Sequence, residues 1–107
     1  MNSNARTESD AVVVGVVNPL QGPLGIIGPS AQLCAELAAE EINREGGILG
    51  REVKLVHVDG GAQVHKVRAQ VLELAMAGRI QSAAGVHTAP VRESLASAIG
   101  GAIPYIY

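Results

Sequence analysis

Seven consecutive apolar residues, Ala11-Val12-Val13-Val14-Gly15-Val16-Val17, open the ordered part of this chain. A strand points alternate side chains to opposite faces. An uninterrupted apolar run therefore reads as a central strand covered on both sides, as in a parallel sheet flanked by helices. The loop that follows, residues 18–29, holds three prolines and three glycines. Pro29 suits the first turn of a helix, where its missing N–H is harmless.

The rest of the chain alternates in the same way. A helix is expected over 30–45, with Ala31, Cys34, Ala35, Ala38 and Ile42 in one apolar stripe. Leu33 and Leu37 lie beside that stripe and widen it, which implies cover on more than one side, from neighbouring helices or another subunit. The pair Gly46-Gly47 ends the helix, since either residue takes a left-handed conformation at low cost. A strand follows at 53–58 and ends in Asp59-Gly60-Gly61. The spacing of Val64, Val67, Val71, Leu74 and Ala75 predicts a second helix over 62–77, stopped by Gly78. Residues 80–85 contain few β-branched side chains, and a third strand is assigned there because its position between two helices requires one. A third helix spans 90–99, ended by Gly100-Gly101, and a fourth strand spans 103–107 with Pro104 near its start. The order β-α-β-α-β-α-β implies an α/β fold, a parallel Rossmann-like sheet with right-handed crossovers. The expected strand order is 2-1-3-4, with the first strand central. Residues 1–10 are polar and read as a disordered tail, leaving 11–107 as one ordered unit.

Composition narrows the function classes. The chain has 107 residues, enough for one small domain, and no Trp or Phe, so aliphatic side chains carry the core. A formal net charge of -2 leaves no electrostatic footprint for nucleic acid. Cys34 is the single cysteine, which excludes an intrachain disulfide and a cysteine zinc cluster. In its helix it reads as a small buried hydrophobe. His57 and His65 lack ligand spacing with other His, Asp or Cys, so no metal and no cofactor is expected. The apolar run at 11–17 is too short for a signal-peptide core and follows Glu8 and Asp10. No run approaches a membrane span. The chain is thus expected to be cytoplasmic, or periplasmic with its signal peptide replaced by a starting Met. The spacing Gly22-x-x-Gly25-x-x-Gly28 raises a dinucleotide-binding enzyme as a rival. Four residues separate Val17 from Gly22, and three prolines remove donors from the loop, which argues against a phosphate cradle. The expectation is a binding protein and not an enzyme, with a pure interaction module as the third class.

Two motifs carry a resemblance. The loop Asn18-Pro19-Leu20-Gln21-Gly22-Pro23-Leu24 precedes the helix end Glu40-Glu41-Ile42-Asn43-Arg44-Glu45-Gly46-Gly47-Ile48-Leu49-Gly50-Arg51. In wording and order they resemble the type I periplasmic binding proteins, the branched-chain amino acid and amide receptors of ABC transporters. The resemblance runs from about Val12 to Tyr107. It implies the first part of lobe one of a two-lobe fold, hence an N-terminal fragment, with ligand held in the cleft between lobes. The implied function is a solute-binding receptor for amino acids or small amides, working with an ABC permease. The alternative is a cytoplasmic amide or amino-acid sensor that controls a regulatory protein.

In that family the loops after the first, third and fourth strands face the cleft. This nominates Leu20 and Ile27 in the first loop, Ile27 where some relatives have an aromatic lid. In the third loop it nominates His87, Thr88 and Ala89, with Ala89 where relatives often place Ser and Thr88 one position earlier. Tyr107 falls where amide-binding relatives carry a Tyr close to the ligand. Thr88 also suits a helix cap. His87 is read as a donor to a ligand oxygen, and Asp59 as structural, bonding local N–H groups.

The bare last strand and the broad apolar face of the first helix lead to an expected self-association of residues 1–107. If the strand is responsible, Ile106→Lys reduces it more than Leu37→Lys. Sedimentation velocity checks this, and a stable monomer at high micromolar concentration would refute it.

Overall fold

The apolar run becomes β1 (Val12–Asn18), an inner strand hydrogen-bonded on both edges, in the computed structural model, which describes residues 11–107. The expected tail at 1–10 lies outside the described residues. β2 (Val53–Asp59) runs parallel to β1 along its whole length, with Val12 opposite Val53 and Asn18 opposite Asp59. β3 (Ser82–Ala84) pairs in parallel with the other edge of β1, and β4 (Tyr105–Ile106) pairs with β3. The order β2-β1-β3-β4 is the expected one.

β3 and β4 are shorter than their runs in the sequence. At the start of β3 a side chain takes a main-chain role: the Val13 N–H donates to Gln81 Oε1 at 2.7 Å, while the Gln81 N–H still donates to the Val13 carbonyl at 2.8 Å. At its end Gly85 turns to φ 150°. A Cβ there would lie 2.1 Å from the Val17 carbonyl oxygen, so the backbones approach closely only without a side chain.

Three helices cover the sheet: α1 (Gly28–Arg44), α2 (Val64–Met76) and α3 (Ala89–Ile99). A short 3-10 turn, Gly25–Ile27, leads into α1. α2 and α3 lie on one face and enclose the core with Val17, Val58, Ile80 and Ala83. Val67 and Val71 of α2, and Val91, Leu95 and Ile99 of α3, supply its other side. Arg68 of α2 donates to the Ser94 carbonyl of α3 at 2.8 Å and ties the two helices together. Val64, expected in the buried stripe of α2, is the first helical residue and is exposed.

α1 lies on the opposite face, against Val53, Leu55 and His57 of β2. Its buried side differs from the stripe read in the sequence. Gly28 and Ala39 are buried and Ala31, Ala35 and Asn43 half-buried, whereas Cys34, Ala38 and Ile42 are exposed along with Leu33 and Leu37. Cys34 is therefore an exposed thiol, not a buried hydrophobe. Asn43 supplies the physical reason. Its Nδ2 donates to the Val53 carbonyl at 2.9 Å, and its Oδ1 accepts from the Val53 N–H at 2.7 Å. This pair of hydrogen bonds to the first residue of β2 fixes the rotation of the helix, so alanines at four-residue spacing meet the sheet.

Beyond Asn43 both glycines of the pair are left-handed, Gly46 at φ 104° and Gly47 at φ 78°. The Gly47 N–H donates to the Ile42 carbonyl at 2.9 Å and closes the helix. Ile48 and Arg51 then exchange two 2.9 Å backbone bonds around Leu49 and Gly50, both at positive φ, in a tight turn that returns the chain to β2.

Asn43→Ala removes both bonds to Val53. The expected loss is about 1–3 kcal/mol of stability, read as a lower denaturant midpoint. A loss below about 0.5 kcal/mol would mean that other contacts set the rotation of α1.

Candidate functional site

In an open parallel sheet, ligands gather at the carboxyl ends of the strands. Here that rim is built from the β1 loop, the turn after β2, the β3–α3 loop and the residue after β4.

Asp59, at the end of β2, ties the first two loops together. Its Oδ1 accepts from the Leu20 N–H at 2.8 Å and the Gly61 N–H at 2.9 Å, and its Oδ2 accepts from Gln21 Nε2 at 2.7 Å. Desolvation pushes its pKa up, but the bonds from Leu20, Gln21 and Gly61 outweigh this and hold it below the usual carboxylate value. Asp59 is thus structural, as expected from the sequence, but only Gly61 of its three donors is local in the chain; Leu20 and Gln21 lie 39 and 38 residues away. Gly61 must be glycine, because a Cβ would lie 2.0 Å from the Gln21 carbonyl oxygen. The Gly60 N–H donates to the Asn18 carbonyl at 2.9 Å. Asn18 is buried, and its Oδ1 accepts from the Val86 N–H at 2.9 Å, fastening the third loop to the first.

His87 is only 4% exposed. Its Nδ1 lies 3.0 Å from the Val17 carbonyl oxygen, and its Nε2 meets the Tyr105 hydroxyl. A carbonyl only accepts, so Nδ1 carries the proton, and Nε2 accepts from Tyr105. Burial lowers the His87 pKa and the charge of Arg92 lowers it further, against the opposing Val17 bond. The imidazole is therefore neutral near pH 7. Its ring stacks on Tyr105, with centroids 5.8 Å apart, and tilts against Tyr107 at 5.5 Å. Burial raises the pKa of Tyr105 and keeps its hydroxyl a donor. Arg92, one turn past Thr88, donates to the Tyr107 hydroxyl at 2.7 Å, and its guanidinium lies 4.6 Å from the Tyr107 ring centroid.

The residues nominated by the sequence are distributed as follows. His87, Thr88 and Ala89 are consecutive at the start of α3, and Tyr107 touches His87. Thr88 occupies the N-cap position of α3, but its side chain makes no capping bond; its carbonyl accepts from the Arg92 N–H at 2.9 Å. Ala89 is exposed at the first helical position, and Tyr107 is 59% exposed. Leu20 and Ile27 belong to the β1 loop, and their side chains are exposed. His87 has a different post from the one read in the sequence. Both ring nitrogens bond within the protein, so it holds Tyr105 and Val17 and offers no donor outward.

Sequence reasoning missed Asn18, Arg92 and Tyr105 as parts of this rim. For Tyr105 a signal existed. Tyr105 and Tyr107 are the only aromatic residues of the Phe, Trp and Tyr class, and spacing of two puts them on one side of a strand. Asn18 and Arg92 carried none, because their partners lie 68 and 15 residues away in the chain. His57 pairs instead with Glu36 of α1, at 3.2 Å, on the α1 side of the sheet. Among the described residues no group of three or more His, Cys, Asp or Glu is placed to hold a metal ion.

A four-stranded parallel sheet in the order β2-β1-β3-β4, with its rim set by these loops, matches a known family. The profile of the periplasmic binding proteins covers residues 11–107, and the chain belongs to that family, as a type I member. The Leu/Ile/Val-binding protein BraC3 of Rhizobium johnstonii is 36% identical over 52 residues, which cover 49% of this chain and 14% of that protein. Among solved structures, the branched-chain amino acid transporter substrate-binding protein LivJ of Streptococcus pneumoniae, in complex with isoleucine, superposes with a TM-score of 0.78. It is 23% identical and covers 89% of this chain, which spans 28% of that one. A branched-chain amino acid ABC transporter protein of Silicibacter pomeroyi gives a TM-score of 0.68 at 29% identity, covering 82% of this chain and 23% of its own. The chain thus spans less than a third of the length of each of these relatives. They are solute-binding proteins, and the dinucleotide-enzyme reading falls with the family match. Among the described residues no helix is long and apolar enough to cross a membrane.

The neutral state of His87 has a consequence for stability. Its folded pKa lies below the unfolded value of about 6.5, so the unfolded chain binds the extra proton first. Its contribution is complete well above that value and is lost as pH falls from there through the lower folded pKa. The melting temperature is expected to drop between about pH 7.5 and 5.5, and His87→Gln should flatten that slope. Differential scanning calorimetry across this range checks it; an equal slope in the variant would assign the effect to other groups.

Proposed function

We propose that residues 11–107 form one wall of the ligand cleft in the solute-binding component of an ABC transporter. The ligand is an amino acid or a small amide, the partner is the membrane permease, and the site of action is outside the cytoplasmic membrane. One observation carries this reading: the division of polar groups along the carboxyl rim. Asp59, Asn18 and His87 are consumed in holding the loops together. The Thr88 hydroxyl, the first-turn N–H groups of α3 and the Tyr107 edge are left for something else. In a helix of this length the N–H groups of Ala89 and Val91 have no acceptor within the helix, and with the helix dipole they favour a carboxylate or an amide oxygen. Thr88, Ala89 and Tyr107 are the contacts expected from this half. Leu20 and Ile27 supply apolar wall, and His87 acts behind Tyr107. The names of the relatives make branched-chain amino acids the first ligands to try.

A site of this kind is concave, and enclosure from a second side supplies most of its affinity. Closure of the two walls on ligand would give the permease a distinct shape to read. Calorimetry on the protein expressed from its full reading frame, with L-leucine, L-isoleucine, L-valine and acetamide, is expected to give micromolar or tighter binding for at least one of them. Residues 1–107 alone should bind none with submicromolar affinity. Tight binding by residues 1–107 alone would overturn the two-walled cleft, and saturable NAD binding would restore the enzyme reading.

A further inference from the structure

We propose that Arg92 is a ligand-recognition residue for a carboxylate, so that this protein takes organic acids and rejects their uncharged counterparts. The inference rests on the reading of the carboxyl rim as a ligand wall. It concerns which chemical group that wall selects.

Among the described residues Arg92 meets no carboxylate; its side-chain partner is the Tyr107 hydroxyl at 2.7 Å. A guanidinium has five N–H donors in a planar fork, and one hydroxyl leaves most of them unused. The position makes this more telling. Arg92 stands in the first turn of α3, where the helix dipole disfavours a positive charge. The nearby titratable groups do not compensate. Burial keeps His87 neutral and holds the proton on the Tyr105 hydroxyl, and the one side-chain carboxylate of the rim among the described residues, Asp59, already accepts from Leu20, Gln21 and Gly61. An unpaired cation at a helix N-terminus costs stability, and an incoming anion offsets that cost.

The guanidinium is also held in place before any ligand arrives. The Tyr107 ring packs against it at 4.6 Å and rests in turn on His87, which is anchored by the Val17 carbonyl and Tyr105. A donor fixed in this way loses little freedom on binding. Thr88 lies one turn earlier on the same side of α3, so a carboxylate reaching Arg92 with one oxygen can meet the Thr88 hydroxyl or the α3 N–H groups with the other. If Arg92 served only to clamp Tyr107, its charge would be irrelevant to ligand choice, and that difference can be measured.

The experiment uses the protein expressed from its full reading frame and two matched pairs of probes: L-isoleucine with L-isoleucinol, and benzoate with benzamide. Calorimetry is expected to show an acid preferred over its neutral partner by roughly 10- to 100-fold, the range for hydrogen bonds to a charged group. In Arg92→Gln that preference should collapse to within about threefold, with the fold verified by circular dichroism. Arg92→Lys keeps the charge without the fork and should retain part of the preference, which tests the idea even if the glutamine variant does not fold. Equal affinity for acid and neutral partner in the natural protein, or an unchanged preference in the variants, overturns the role of Arg92 and leaves ligand capture standing. Absence of binding by any of these probes and by the amino acids and acetamide above overturns both.

Discussion

β1 is bonded along both edges and covered on both faces, and the rest of the structure hangs from it. Its parallel register with β2 brings Asn18 level with Asp59, and its register with β3 brings Val17 beside Gly85. Val17 is fully buried, yet its carbonyl still has to be satisfied beyond the end of the β3 ladder. His87 Nδ1 meets that need, which sets the tautomer, turns Tyr105 into a donor and gives Tyr107 a surface to lean on. One backbone acceptor at the end of one strand thus organises the aromatic side of the rim.

The rim separates groups that hold the frame from groups that face outward. Buried polar atoms are costly unless paired, and among the described residues no buried side-chain nitrogen or oxygen lacks a partner. Asp59 spends its charge on three donors, and Asn18 spends its amide oxygen on Val86. What remains at the surface is a hydroxyl, a helix N-terminus, an exposed tyrosine and one guanidinium. These are the groups to which the proposal above assigns the ligand contacts.

The α1 side follows a different logic. Small residues let the helix approach the sheet closely, and Asn43 pins it to Val53. Leu33 and Leu37 then stay 56% and 53% exposed, although full burial of such a side chain contributes roughly 1.5–3 kcal/mol. Two specific hydrogen bonds at the end of the helix orient it against the pull of its larger apolar side chains. A stripe drawn from hydrophobicity alone, through Cys34, Ala38 and Ile42, therefore pointed the wrong way.

The sequence by itself determined the alternation of elements, the central place of the apolar run at 11–17 and the parallel order of the strands. It also determined the turn at Gly46-Gly47 and the structural duty of Asp59. Most of these rest on local periodicity, on backbone freedom or on rules for the order of successive elements, all of which can be read along the chain without knowing which distant atoms meet. Only the tertiary structure decided the rotation of α1, the burial of His87, the shortness of β3 and the meeting of Arg92 with Tyr107. These depend on which distant atom fills a given hydrogen-bond vacancy. Val17 and His87 are 70 residues apart, and Val13 and Gln81 are 68 apart. No spacing rule reaches that far, because the partner is chosen by the packed backbone and not by the chain.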